Sequence, residues 1–183
     1  KLLIPANEYV YNNNKLTLQA KWTINQYTLT IKYADGVTED QTVIQNYGTT
    51  YTPPTPTREG YAFGGWGLTG AGEYKDGIYT FGAGSGELTA QWQIQGYTLT
   101  IKPNGGKWAN GTGNESDIDK DITQDYGTSI EIYNEPTRTG YTFDKWILES
   151  VGGGNANGIF NAEDNIYTFG AGDDILTAQW TVN

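Results

Sequence analysis

The chain has 183 residues, a net charge of −10, and no His, Cys or Met. Those absences exclude disulfides, thiolate nucleophiles, zinc–thiolate sites and an imidazole general base, and the acidity repels nucleic-acid backbones. High counts of Tyr (14), Trp (6) and Gly (25) favour β structure with tight turns.

The first residues, Lys1-Leu-Leu-Ile-Pro5, lack the apolar run of a signal peptide. No later stretch approaches the ~18 apolar residues of a membrane span, so direct membrane insertion is not expected of this piece. Tyr11 to Trp22 then has the spacing, 11 steps, that recurs from Phe81 to Trp92 and from Phe169 to Trp180. Leu18-Gln-Ala-Lys-Trp22 also matches Leu88-Thr-Ala-Gln-Trp92. Residues 1–24 therefore read as the closing segment of a preceding repeat.

Residues 25–94 read as one repeat domain. In Tyr27-Thr-Leu-Thr-Ile31 the apolar residues alternate strictly with Thr, which predicts a half-buried strand. Ala34-Asp-Gly36 is a turn signal. A second strand is expected within Thr38–Tyr47, centred on Val43 and Ile44. Pro53-Pro-Thr-Pro56 forbids a helix interior or central strand and predicts an extended crossing. In Thr57-Arg-Glu-Gly-Tyr-Ala-Phe-Gly-Gly-Trp66, Gly60 starts a strand with Tyr61 and Phe63 on one face. Trp66 falls off that parity by one residue, so Gly64-Gly65 predicts a bulge. Ile78–Phe81 and Leu88–Trp92 read as arms of a hairpin around Gly82–Gly86, with Leu88, Ala90 and Trp92 facing inward.

Residues 95–183 repeat this order with insertions. Tyr97-Thr-Leu-Thr-Ile-Lys102, Asp125-Tyr-Gly-Thr-Ser129, Thr137-Arg-Thr-Gly-Tyr-Thr-Phe-Asp-Lys-Trp146, Ile166-Tyr-Thr-Phe-Gly-Ala-Gly172 and Leu176-Thr-Ala-Gln-Trp180 each have a counterpart in the first repeat. The additions lie between blocks, as expected where connections vary on a fixed scaffold. One helical turn near Phe160–Asp164 is the only helix suggested. So small a domain has a thin core, and large aromatics must supply much of it. Tyr61, Phe63, Trp66 and Trp92, with Tyr141, Phe143, Trp146 and Trp180, are the candidate core. The joins, Thr23-Ile-Asn-Gln26 and Gln93-Ile-Gln-Gly96, are not flexible Gly/Ser linkers and predict a semi-rigid rod.

The block order Tyr-Thr-Leu-Thr-Ile, Tyr-Gly-Thr, Pro-Thr-Arg-x-Gly-Tyr-x-Phe-x-x-Trp and Leu-Thr-Ala-Gln-Trp resembles the Listeria–Bacteroides repeat, the internalin B-repeat type, over nearly all of the chain. The resemblance implies tandem copies in a bacterial surface or secreted protein, hence an extracellular location. It also implies a mostly β, β-grasp-like domain, here with the helix short or missing, in a rod-like array. The function implied is a non-enzymatic spacer, stalk or adhesion scaffold. Implied partners are a host or cell-surface protein, a glycan, and neighbouring repeats of the same chain.

The repeated Trp residues alternate with outward polar residues and read as core rather than as sugar-stacking platforms. Trp108 has no counterpart in the first repeat. It sits in Gly105-Gly-Lys-Trp-Ala-Asn-Gly-Thr-Gly-Asn114, which makes Trp108, Lys107 and Asn110 candidate ligand contacts. The alternative for Trp108, a loop residue folded back as a cap on its own core, stands beside it. Asp117-Ile-Asp-Lys-Asp121 has the spacing that opens a calcium loop. Ile122 and Thr128, however, stand where an EF-hand needs Gly and Glu, so a solvated acidic loop is expected. Glu163-Asp164 and Asp173-Asp174 read the same way. No pair of acids is singled out as converging in a cleft, so no catalytic, cofactor-binding or metal-binding residue is assigned.

Overall fold

A computed structural model of the chain describes residues 9–12, 15–18, 20–109, 116–151 and 157–183. Among them there is no helix; every regular element is a strand. A short antiparallel pair comes first, β1 (Tyr9–Asn12) with β2 (Lys15–Leu18). The first repeat then contributes β3 (Gln26–Lys32), β4 (Gln41–Asn46), β5 (Thr50–Tyr51), β6 (Tyr61–Gly70), β7 (Glu73–Lys75), β8 (Ile78–Thr80) and β9 (Gly86–Ile94). The second contributes β10 (Gly96–Lys102), β11 (Lys120–Asp125), β12 (Ser129–Glu131), β13 (Tyr141–Ser150), β14 (Ile159–Asn161), β15 (Ile166–Thr168) and β16 (Asp174–Val182).

Each repeat makes the same two sheets. A four-stranded sheet has the order β4-β3-β9-β6 in the first and β11-β10-β16-β13 in the second. A three-stranded sheet has the order β5-β8-β7, then β12-β15-β14. The first strand of each repeat is central because it alternates Leu and Ile inward with Thr outward. It runs antiparallel to the next strand (Leu99↔Ile122) and parallel to the last (Leu99↔Asp174 to Lys102↔Thr177). The first repeat has the same parallel pair, from Leu29↔Gly86 to Lys32↔Thr89.

That parallel pair corrects the expected hairpin around Gly82–Gly86. β8 leaves for the smaller sheet, where it pairs with β5 and β7, and β9 joins β3 instead. The intervening Gly-rich segment is a corner between sheets rather than a hairpin loop. The helical turn near Phe160 is also replaced: Phe160 lies in β14, and residues 162–165 form turns. In β13 the register against β16 shifts between Phe143 and Lys145, at the place where parity in the sequence breaks before Trp146.

The chain's internal contacts define two compact units. One comprises Lys1–Lys32, Glu39–Pro53 and Leu68–Thr89; the other comprises Tyr33–Thr38, Pro54–Gly67 and Ala90–Asn183. The whole second repeat thus lies in one unit, with Pro54–Gly67 of the first. Its core gathers Leu99, Ile101, Trp108, Trp146, Tyr167, Phe169, Leu176 and Ala178. In the other unit Leu29, Ile31, Tyr79, Phe81 and Leu88 are buried, and the Tyr79 and Phe81 rings meet edge to face with centroids 5.1 Å apart. Tyr167 and Phe169 repeat that contact at 4.9 Å.

Candidate functional site

Trp108 is 4% exposed. Its backbone pairs with Ser116, its indole N–H donates to the Ile118 carbonyl at 2.9 Å, and its ring stacks on Trp146 with centroids 6.1 Å apart and planes at 17°. The Lys120 ammonium lies 3.7 Å from the centroid of the Trp108 ring. The ring and its N–H are therefore engaged within the repeat. Lys107 is exposed, and its backbone exchanges hydrogen bonds with Thr137. Asn110 lies outside the described residues.

The repeated aromatics form one cluster per repeat. Phe63 sits 5.4 Å from Trp66 and 5.6 Å from Trp92; Phe143 sits 5.2 Å from Trp146 and 5.8 Å from Trp180. Trp66 and Trp146 are each 8% exposed; Phe63, Trp92, Phe143 and Trp180 are half-buried. The half-buried indoles donate to backbone carbonyls, Trp92 to Tyr33 and Trp180 to Pro103. Trp22, in the matching place of the opening segment, is 89% exposed.

Among the described residues the acids of the Asp117–Asp121 run do not gather into a site. Asp117 and Asp119 are exposed, and Asp121 accepts from the Thr100 hydroxyl at 2.7 Å. No group of three potential metal ligands occurs among the described residues. Asp174 departs from the expected solvated loop, for it is fully buried. Its carboxylate accepts the Gly158 amide at 2.6 Å, the Tyr167 hydroxyl at 2.8 Å, and the Asn157 amide and side chain at 3.0 and 3.2 Å. Four donors replace the water the carboxylate gives up. Burial and the Asp174 hydrogen bond push the Tyr167 phenol well above its ordinary pKa. The first repeat has Gly86 at this position, and there the Tyr79 hydroxyl donates to the Ala71 carbonyl. Asp174 aligns with Gly86 of the first repeat, but Asp144 aligns with Gly64 in the same way, so the alignment of the repeats does not single it out.

A second constellation gathers at two turns of each repeat. Gly60 and Gly140 take left-handed backbone, φ +74° and +80°, which glycine adopts without steric cost. Beside each, an arginine caps the following tyrosine: Arg58 lies 3.9 Å from the Tyr61 ring centroid, and Arg138 lies 3.8 Å from that of Tyr141. The Tyr-Gly-Thr turns are held alike. Gly48 donates to the Phe81 carbonyl and Phe81 to that of Thr49; Gly127 donates to Phe169 and Phe169 to Thr128.

Within the second unit the two kinds of turn meet. The Tyr126 ring covers Gly60 so closely that a Cβ added there would fall inside it, and the ring meets Tyr61 edge to face at 6.1 Å. Between β9 and β10 stands a single residue, Gln95. Its N–H donates to the Gly60 carbonyl and its carbonyl accepts the Tyr126 N–H, both at 2.9 Å.

Comparison with known proteins matches the Listeria-Bacteroides repeat domain to residues 27–91 and again to residues 97–170. A Gly-rich protein of Evansella cellulosilytica, provisionally named a membrane protein, is 27% identical over 98% of this chain, which spans 19% of that protein. Internalin H of Listeria monocytogenes is 32% identical over 55% of the chain, and the match takes in 17% of its length. The chain thus corresponds to about a fifth of these relatives. Among solved structures, domains 3-4 of the Streptococcal High Identity Repeats in Tandem, from a cell surface protein, cover 86% of this chain and 99% of theirs. The identity is 16% and the TM-score 0.23, too low to bear on the fold. The two family matches fall in tandem on the two repeats, each built on the same pair of sheets: the chain belongs to the Listeria-Bacteroides repeat domain family.

Proposed function

We propose that the chain is a non-enzymatic spacer segment of a bacterial surface or secreted protein, with the repeats at 25–94 and 95–183 acting as its domains. The observation that carries this reading is the join. A spacer must resist bending where one domain gives way to the next, and here the join is one residue, Gln95, with both backbone polar groups bonded. Each such bond, once made, removes freedom that a linker would keep. Membership of a repeat family found in tandem supports the same role. In this reading Trp108 caps the core of the second repeat rather than meeting a ligand, since its surfaces are taken up internally.

The chain has no Cys, so a pair of spin labels can be placed without background. With one label at exposed Thr55 and the other at exposed Asp144, on either side of the join and both within the second unit, pulsed dipolar spectroscopy should give a single narrow distance distribution. A broad one, of the width a flexible tether produces, refutes the spacer reading.

A further inference from the structure

The Tyr126-on-Gly60 contact has both its halves present elsewhere in the chain in undocked form. Tyr47 occupies the place of Tyr126 in the first repeat, and its amide donates to the Asn25 carbonyl as that of Tyr126 donates to Gln95. Yet Tyr47 is 54% exposed, its ring touching only Tyr27 edge to face at 6.4 Å among the ring contacts described. Gly140 occupies the place of Gly60. Its carbonyl accepts the Asn183 N–H as that of Gly60 accepts Gln95, and Arg138 caps Tyr141 as Arg58 caps Tyr61. But a Cβ added at Gly140 would meet nothing within 4 Å.

The grooves agree. The one beside Arg58 and Tyr61 is about 330 Å³ and has Tyr126 as a wall; the one beside Arg138 and Tyr141 is about 720 Å³, and no tyrosine of a Tyr-Gly-Thr turn is among its lining residues.

From this we infer that the Gly140–Tyr141 turn is a docking socket, and Tyr47 a docking plug, each shaped for a further copy of this same repeat. The tyrosine of an incoming Tyr-Gly-Thr turn seats on the left-handed glycine, with the Arg-capped tyrosine as its side wall. The occupant is fixed by the occupied example at Gly60, which shows ring, glycine and both hydrogen bonds engaged at once. Glycine is required at the socket for two separate reasons, its positive φ and the ring above it. At Gly140 only the first reason operates in this chain.

The inference rests on the spacer reading, and it is tested by a substitution whose effect should depend on whether the socket is filled. Gly60→Ala and Gly140→Ala impose the same left-handed strain. In the full chain, Gly60→Ala should lower hydrogen-exchange protection of the Tyr126 amide by about tenfold or more, while Gly140→Ala leaves it unchanged. A second copy of residues 96–183 is then joined directly after Asn183, so that Gly96 follows Asn183 as it follows Gln95. In that chain Gly140→Ala should lower protection of the added copy's Tyr126 amide by a similar factor. If Gly60→Ala does not fold, Tyr126→Ala removes the ring without touching the glycine, and protection of the Gln95 amide should fall instead. An added copy that folds, but whose Tyr126 amide is equally protected with Gly or Ala at 140, overturns the inference. That result would leave the spin-label distances at the existing join, and hence the spacer reading, intact.

Discussion

Trp108→Ala separates a core residue from a surface contact. A buried Trp removes roughly 150–250 Å² from water, worth about 4–6 kcal/mol at ~25 cal/mol/Å². Because the unfolded chain already hides some of that surface, the expected loss is about 3–5 kcal/mol, the usual range for truncating a buried Trp. Three features place Trp108 in that range: 4% exposure, the stack on Trp146 and the N–H bond to Ile118. Trp108→Phe keeps a ring over Trp146 and gives up the hydrogen bond, so it should cost less than the truncation. Native-state hydrogen exchange at Leu99 and Leu176 reads the second repeat, and exchange at Leu29 and Leu88 serves as a reference in the first. A loss below about 1 kcal/mol at Leu99 and Leu176 would show that the indole contributes little to the core, and would make Trp108 a surface contact again.

Three further outcomes follow from the titratable groups. Asp174→Asn must turn an amide nitrogen toward one pair of donors, losing two charge-assisted bonds and about 2–4 kcal/mol of second-repeat stability; an unchanged urea midpoint would contradict this. Tyr167 is favoured neutral in the fold, first by burial and then by its bond to Asp174. That contribution is complete below the unfolded phenol's pKa of ~10 and is lost as pH rises above it. Tyr167→Phe should therefore remove one late-ionising phenol from the alkaline absorbance titration; an unaltered curve counts against it. The Asp35 carboxylate is pulled down to about 2, first by the Thr38 hydroxyl and then by the Thr38 and Val37 amides. Its contribution to the 34–38 turn is present above the ordinary carboxylate pKa and is lost as pH falls through about 2. A carboxyl carbon NMR titration with its midpoint near the ordinary value of about 4 would refute that.

The strands were largely legible because each carries its own period. Tyr27–Ile31 and Tyr97–Ile101 alternate cleanly, and the one-residue slip read before Trp66 has its counterpart in the second repeat, where the register shifts between Phe143 and Lys145. The connection of β8 to β9 was not legible, because a Gly-rich segment between two apolar runs reads the same whether it closes a hairpin or passes between sheets. The parallel partner that decides it lies far back along the chain, in β3. Tyr79, Phe81 and their counterparts Tyr167 and Phe169, the most buried aromatics among the described residues, were hidden by the same misreading, which made them hairpin arms. Trp108 carried two readings because a Gly/Asn loop leaves the direction of its side chain open; the Trp146 stack fixes it. Asp174 looked like one of several acids, and only tertiary placement of Asn157 and Gly158 supplies its donors.

The parallel pairing of first and last strands has a mechanical consequence. In the second repeat the chain enters at the start of β10 and leaves at the far end of β16, which lies beside it pointing the same way. Tension on the two ends therefore slides the strands lengthwise, so the rungs from Leu99 to Lys102 share the load and fail together. A hairpin pulled from its open end would instead lose its rungs singly, in succession. Resistance to extension is governed by an unfolding rate rather than by equilibrium stability, and shear loading is the arrangement that keeps that rate low under tension.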